Sequence, residues 1–257
     1  MSEQGERAQK PWRTGRNLAL ACLAATALIG CELSGSQPVG YQARVDVAQR
    51  MLLSGQYDSA YRLLNEVSTD HGSQPAAHLS VGNAYLRGGA HFKARNAFNA
   101  AIRGGAETEG HLGLGRVALA QNNPTVAFEK FDAVLAVDPG NITALNGRGV
   151  AYNLRGEHQR AIGEFTKLLA INPTHLDALN NLALSHALGG SGTEAVEILS
   201  DLTQSQVTDT NLRHNLAIAY SIVGREKTAM RLAGPEMSNG QAQQTFRSVR
   251  RYRASRS

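Results

Sequence analysis

The 257-residue sequence predicts an all-α fold, a right-handed superhelical solenoid of about six helix pairs. Three observations carry that expectation. The near-identical phrases FDAVLAVDP and FTKLLAINP end at Pro139 and Pro173, a spacing of about 34 residues. Sliding the chain by that period aligns Gly55, Gly89, Gly156, Gly190 and Gly224. Ala60, Ala94, Ala127, Ala161, Ala195 and Ala229 each lie five residues beyond the same column. A repeat of this length cannot bury its apolar face alone, so successive copies must stack.

Different elements precede the repeats. Arg7, Lys10, Arg13 and Arg16 form a basic segment, and Leu18 to Ile29 is an uncharged apolar run. A bilayer-spanning helix needs about 20 apolar residues and a signal-peptide core about 7 to 15, so residues 1–30 are expected to be a signal peptide. The tetrapeptide Leu28-Ile29-Gly30-Cys31 at its edge resembles the lipobox of bacterial lipoproteins. In that family the cysteine sulfur receives a diacylglyceryl group, the chain is cut before it, and the new amino group is acylated. The resemblance therefore implies lipidation of Cys31, with no cofactor besides that covalent lipid. The chemistry needs a thiolate, the good nucleophile among uncharged small side chains. Two or three acyl chains, at about 0.8 kcal/mol per buried methylene, anchor a domain stably. Cys22 lies within the apolar run and reads as a small hydrophobe. With Cys22 removed and Cys31 alkylated, no disulfide is expected in the mature chain. Glu32 follows the cysteine; in the enterobacterial sorting rule this favours the outer membrane, with the domain facing the periplasm.

Residues 31–40 are short, polar and broken by Gly and Pro, and are expected to form a flexible tether. The formal net charge of +5 divides unevenly. Residues 1–30 hold four basic and two acidic residues, which leaves 5 − 2 = +3 on the remainder. The segment Phe246 to Ser257 holds five arginines and no acid, so residues 31–245 sum to 3 − 5 = −2. The body is not basic, and nucleic acid is not an expected partner.

Residues 41–240 form the repeat domain, with units beginning near Tyr41, Pro75, Thr108, Ile142, Leu176 and Thr210. The steps are equal except the one from Pro75 to Thr108, which is shorter by a single position. Leu145, Gly149, Tyr152, Gly156, Ala161, Phe165 and Pro173 of the fourth unit resemble the tetratricopeptide repeat at its fixed offsets. Gly82, Tyr85, Gly89, Ala94 and Phe98 do so in the second, and Gly115, Ala127, Phe131 and Pro139 in the third. Small residues such as Gly149 with Ala161, or Ala183 with Ala195, let two antiparallel helices approach closely. Large ones nearby, such as Tyr152 and Phe165, fill the space between pairs.

Several positions depart from the pattern. The usual large aromatic of the first helix is replaced by Arg44, His78, His111, Leu145, Leu179 and Arg213. Pro124 stands where it can start a second helix. Gly234 and Pro235 are expected to cut the last second helix short. Residues 241–257 read either as a basic helix covering the open end of the stack or as a disordered tail.

The residues point to binding rather than catalysis. Eight histidines are scattered through the units, with no pair at metal-ligand spacing on one helix face. The phrase GLGRVA from Gly113 lacks the third glycine of a dinucleotide loop and has no preceding strand. No enzyme activity, metal or small-molecule substrate is expected. In tetratricopeptide proteins places five, six and twelve of a repeat turn toward the concave side. In units four to six these hold Asn146, Asn153, Asn180, Asn181, His214 and Asn215. Asparagine offers two donors and an acceptor, which suits the backbone of an extended protein segment. The alternative is that these side chains bond between neighbouring repeats. Units one to three hold mostly apolar residues there, such as Leu52, Leu79 and Leu86, suited to an amphipathic helix or the chain's own N-terminal segment.

The stretch LDALNNLALSHALGG from Leu176, followed by NLRHNLAIAYSIVGREKTAMRL from Asn211, resembles the TadD family, repeat lipoproteins of tight-adherence (Flp-type) pilus machines. That resemblance implies an accessory role in pilus assembly or secretion, with protein partners that include the outer-membrane secretin. The rival expectation is a general cell-envelope scaffold, an adaptor for outer-membrane proteins or peptidoglycan enzymes.

The lipobox generates a first prediction. The mature protein begins at Cys31 and carries its lipid there, so intact mass spectrometry finds an acylated chain and Cys31→Ser abolishes both acylation and processing. An unmodified chain starting at any other residue would overturn it.

Overall fold

A computed structural model describes residues 40–205, 209–234 and 237–255. The signal peptide, Cys31 and the tether as far as residue 39 lie outside the described residues. Thirteen helices follow in order: α1 (Tyr41–Leu53), α2 (Tyr57–Asp70), α3 (Pro75–Arg87), α4 (His91–Arg103), α5 (Glu107–Ala120), α6 (Pro124–Val137), α7 (Ile142–Leu154), α8 (His158–Ile171), α9 (Leu176–Gly189), α10 (Gly192–Ser205), α11 (Thr210–Ile222), α12 (Glu226–Ala233) and α13 (Asn239–Ala254). The described residues contain no strand. Six antiparallel pairs therefore stack, and each unit begins at or within one residue of its expected start.

Local chemistry sets the boundaries. Pro75 and Pro124 occupy the first turns of α3 and α6, where a missing N–H costs nothing. Side chains of Asn123, Asn141 and Asp209 accept from the first free N–H groups of α6, α7 and α11. The aligned glycine column is a column of left-handed backbone: Gly156 has φ +76°, and Asn122, its counterpart in the third unit, has φ +52°. Asparagine tolerates that region better than other side chains, which explains the gap in the column. The shortened step has a local cause as well. Only Gly104, Gly105 and Ala106 join α4 to α5, whereas Asp138, Pro139, Gly140 and Asn141 join α6 to α7. The shorter link presses the helices together, so that a Cβ on Gly110 would stand 2.3 Å from Cγ1 of Ile102.

Phenylalanines sit in glycine sockets along the stack. Phe98, Phe131 and Phe165 are all but completely buried. A Cβ on Gly82 would lie 2.8 Å from the Phe98 ring, and one on Gly113, in the next unit, 2.4 Å from it. Phe131 is held likewise between Gly115 and Gly147, at 2.6 and 2.3 Å, and Phe165 lies 2.6 Å from a Cβ on Gly149. Phe98 and Phe131 thus join their own helix pair to the following one. Tyr85 and Tyr152 are buried beside these layers. The Tyr85 hydroxyl donates to Oδ1 of Asn65 at 2.6 Å, and burial pushes its pKa up to about 12.

Two arginines of the first helices are stapled to neighbouring helices. Arg44 pairs with Asp70 at 2.6 Å and Glu66 at 3.2 Å on α2. Arg148 pairs with Asp132 at 2.6 Å on α6 and with the buried Glu164 at 2.8 Å on α8. A charge buried in this way is tolerated because it is paired, and removing one partner would strand the other.

The packing also gives the stack its curvature. Each first helix packs on the first helix of the next unit, α1 on α3, α3 on α5, α5 on α7, α7 on α9 and α9 on α11, whereas successive second helices make no comparable contact. First helices crowd together and line the concave side; second helices splay on the convex side. At the far end α12 stops at Ala233, before Gly234 with φ +67°. The tail forms α13, whose Ala242 and Phe246 are buried with Ala217, Ala229 and Ala233. No helix among the described residues is long and apolar enough to cross a membrane.

The sockets predict opposite effects for two glycine-to-alanine changes. Gly147→Ala forces a methyl against Phe131 and costs about 1–3 kcal/mol by overpacking. Gly163, inside α8, has nothing within 4 Å of its added Cβ. Gly163→Ala should therefore stabilise by about 0.5–1 kcal/mol through helix propensity. Thermal melting followed by circular dichroism checks both, and a Gly147→Ala protein that melts at or above wild type would refute the socket.

Candidate partner-binding groove

The concave face is a surface of side chains that recur at one-turn and two-turn intervals on the first helices, so that each helix presents one stripe. On α7, α9 and α11 the stripe carries the asparagines singled out in the sequence, all partly buried. Asn181 Nδ2 donates to Asn146 Oδ1 at 3.2 Å, and Asn215 Nδ2 donates to Asn180 Oδ1 at 2.8 Å. In each case place six of one unit reaches place five of the unit before it. Asn153 is set apart from this ladder. Its Nδ2 donates to Oγ of the buried Ser185 at 2.7 Å, its Oδ1 lies 3.0 Å from Nδ1 of His158, and Ser185 donates in turn to the Asn181 carbonyl. His214 shares the stripe, and its Nε2 is buried without a hydrogen-bond partner.

The alternative of bonds between neighbouring repeats therefore describes Asn146, Asn153, Asn180, Asn181 and Asn215. One N–H of each donor amide, on Asn153, Asn181 and Asn215, is engaged within the stack. The ladder is both a surface and a brace.

The other half of the groove differs from its sequence reading. Leu52 is buried, and Leu79 and Leu86 are partly buried against the core, so they form a floor rather than an open apolar face. The polar side chains beside them are linked from one first helix to the next. Ser80 Oγ donates to Gln42 Oε1 at 3.2 Å, Arg87 Nη1 to Gln49 Oε1 at 3.0 Å, and Arg116 Nη2 to Asn83 Oδ1 at 2.9 Å. Desolvation, followed by the neighbouring Arg87, lowers the pKa of Arg116 from its ordinary value. Where α1 turns toward α2, a cavity of about 360 Å³ is lined by Gln49, Leu52, Leu53, Tyr57, Arg87 and Gly88. Leu53 is 89% and Tyr57 51% exposed there. The signal for these arginines is present in the sequence: they occupy places thirteen and nine of their units, on the same stripe as place five.

Among the described residues no group of His, Cys, Asp and Glu is arranged to hold a metal ion. On α5, His111 has its pKa lowered by burial and by Lys130, against the opposing effect of Glu107.

Comparison with known proteins agrees with this architecture. The tetratricopeptide repeat profile matches residues 47–108 and 112–175. A search of curated proteins finds no significant match. Among solved structures, a tetratricopeptide repeat protein from Parabacteroides merdae ATCC 43184 has a TM-score of 0.64 at 16% identity, covering 86% of this chain and 87% of that one. PilW, described as a widely conserved type IV pilus biogenesis factor, has a TM-score of 0.66 at 18% identity, covering 80% and 98%. The APC/C hetero-tetramer Cut9-Hcn1 contributes a chain with a TM-score of 0.66 at 18% identity, covering 80% of this chain and 42% of that one. At these identities the likeness is one of fold.

The asparagine ladder predicts a measurable contribution to stability. Asn181→Ala together with Asn215→Ala removes two hydrogen bonds between repeats, at about 0.5–1.5 kcal/mol each. The melting temperature should fall by a few degrees, about 2–4 °C per kcal/mol for a domain of this size. An unchanged melting curve would mean that the ladder does not brace the stack.

Proposed function

We propose that this tetratricopeptide-repeat protein is a lipid-anchored scaffold of the bacterial outer membrane that faces the periplasm and holds protein partners in its concave groove during assembly of a tight-adherence pilus or its secretin. The observation that carries the binding role is the concave face itself. First helices line it with amide and guanidinium groups that keep unengaged N–H donors. Such donors recognise extended backbone and acidic side chains without a catalytic group. Tetratricopeptide domains bind proteins, and this fold is typically a non-enzymatic interaction scaffold.

The anchor rests on the lipobox at Cys31, which supplies the only proposed lipid site and no other cofactor. The pilus reading rests on two supports of different kind. One is the resemblance of the Leu176 and Asn211 segments to TadD. The other is the fold shared with PilW across 80% of the chain. Nucleic acid forms no part of this reading, because the body carries a net charge of −2 outside its arginine-rich tail. The second reading, an adaptor for outer-membrane proteins or peptidoglycan enzymes, uses the same groove and the same anchor and differs in its partners.

A deletion strain and an affinity-tagged chain separate the two. The pilus reading expects loss of surface pili on deletion, together with recovery of secretin or other secretion components from solubilised envelopes. Normal piliation, with recovery only of outer-membrane barrel assembly factors, would replace it with the general scaffold.

A further inference from the structure

Charge is divided sharply along the stack. Residues 225–257 hold eight Arg and Lys residues against two acids, Glu226 and Glu236, a net of 8 − 2 = +6. Residues 31–257 carry 5 − 2 = +3, so residues 31–224 carry 3 − 6 = −3.

The fold gathers positive charge onto the outside of its last two helices. α13 lays Ala242 and Phe246 against Ala217, Ala229 and Ala233, and that contact leaves Gln243, Gln244, Arg247, Ser248 and Arg251 exposed. Arg247 and Arg251 are neighbours one helical turn apart. Arg250, at the edge of this face, pairs at 3.3 Å with Glu226 in the first turn of α12. That contact brings Arg225 and Lys227, the exposed chain neighbours of Glu226, beside the arginine-bearing end of α13. Glu226 therefore stands among five cations, Arg225, Lys227, Arg247, Arg250 and Arg251.

The residues between the charges indicate what such a surface meets. Among the described side chains of α13 no large apolar group is exposed, and the arginines alternate with Gln and Ser. A protein interface is built on apolar and aromatic anchors that become fully buried, and this face offers none. An anionic membrane needs no anchor or pocket, because it presents spread negative charge to which each nearby Arg or Lys is attracted.

We propose that α13 and the start of α12 form an electrostatic contact with anionic phospholipid head groups, so that the solenoid is held at both ends, by the lipid on Cys31 and by this patch. The proposal rests on the lipid-anchor reading above and adds an orientation to it. A tether over residues 31–40 reaches at most about 35 Å and by itself lets the stack point in any direction. A second contact at the last helix lays the stack along the bilayer.

The mature lipidated protein, given a fluorophore through Ser248→Cys, tests this by energy transfer to a head-group-labelled lipid. Vesicles of phosphatidylcholine alone are compared with vesicles that also contain anionic phosphatidylglycerol. Transfer should rise with phosphatidylglycerol and be lost at about 1 M salt, where screening acts within about 3 Å. Each arginine removed should lower the ratio of docked to undocked α13 about 5-fold, so Arg247→Gln with Arg251→Gln lowers it roughly 25-fold. Arg247→Lys with Arg251→Lys should keep it, since a charged surface makes no demand for a fork of donors. Melting curves unchanged from wild type would show that the exposed substitutions leave the fold intact. Equal transfer in both vesicles, or a glutamine variant that docks like wild type, would overturn the contact and leave the anchor standing. Protein that floats only with the anionic vesicles, through these arginines, would support the contact and overturn the anchor. Tight capture of a single-stranded oligonucleotide by α13, with no response to phosphatidylglycerol, would overturn the contact and give the patch to nucleic acid.

Discussion

The stack depends on how closely two helices from successive pairs can approach the phenylalanine between them. Phe131 fills the space between α5 and α7 only because Gly115 and Gly147 present bare backbone to its ring; a methyl at either place would lie 2.6 or 2.3 Å away. The same ring supplies much of the local hydrophobic stabilisation, since emptying a buried Phe site costs about 3–5 kcal/mol. A single side chain therefore closes one helix pair and sets the spacing to the next. Phe98 repeats the arrangement one unit earlier, which gives units two to four a common geometry.

The character of the groove follows from those sockets. Place six of a unit lies beside the phenylalanine layer on one side and on the concave stripe on the other. In the third and fourth units it must be glycine, Gly113 and Gly147, and it adds no side chain to the groove. In the fifth and sixth it is Asn181 and Asn215, whose amides reach back to Asn146 and Asn180. The concave face thus changes along its length. It is polar and cross-braced over α7, α9 and α11, and cationic over α3 and α5. Packing rules set where side chains are allowed, and the allowed ones give each half its chemistry.

Much of this was legible in the sequence because repetition amplifies it. A fixed period, a glycine column and an alanine column place the start of each unit's first helix, and even the one shortened step points to the α4 to α5 region. The structure adds why: Gly104, Gly105 and Ala106 alone make that turn, and Asn122 substitutes for a glycine because it accepts positive φ. What periodicity does not encode is the direction of a polar side chain. Asn181 in a stripe reads equally as a ligand donor or as a brace, and its distance of 3.2 Å to Asn146 exists only once two units are stacked. Arg44 has the same ambiguity, since its partners Glu66 and Asp70 lie on the other helix of its pair. Leu52, Leu79 and Leu86 read as an exposed apolar face because helical register identifies a stripe without revealing how deeply it sinks between neighbouring helices.

Net charge is the least local of these quantities, and here it conceals the distribution that matters. Residues 31–245 sum to −2, yet a pair of cations stands in the groove. The structure reconciles the two through the second helices. Glu66 and Asp70 on α2 meet Arg44, and Asp132 on α6 and Glu164 on α8 meet Arg148. These acids are engaged with cations that point between helices, and screening by water and salt prevents them from cancelling charges across the thickness of the stack. Arg87 and Arg116 are held by Gln49 and Asn83, neutral groups that fix their position without neutralising them. A slightly acidic body can therefore present two cations on one face, because a net sum does not record on which helix face each charge stands.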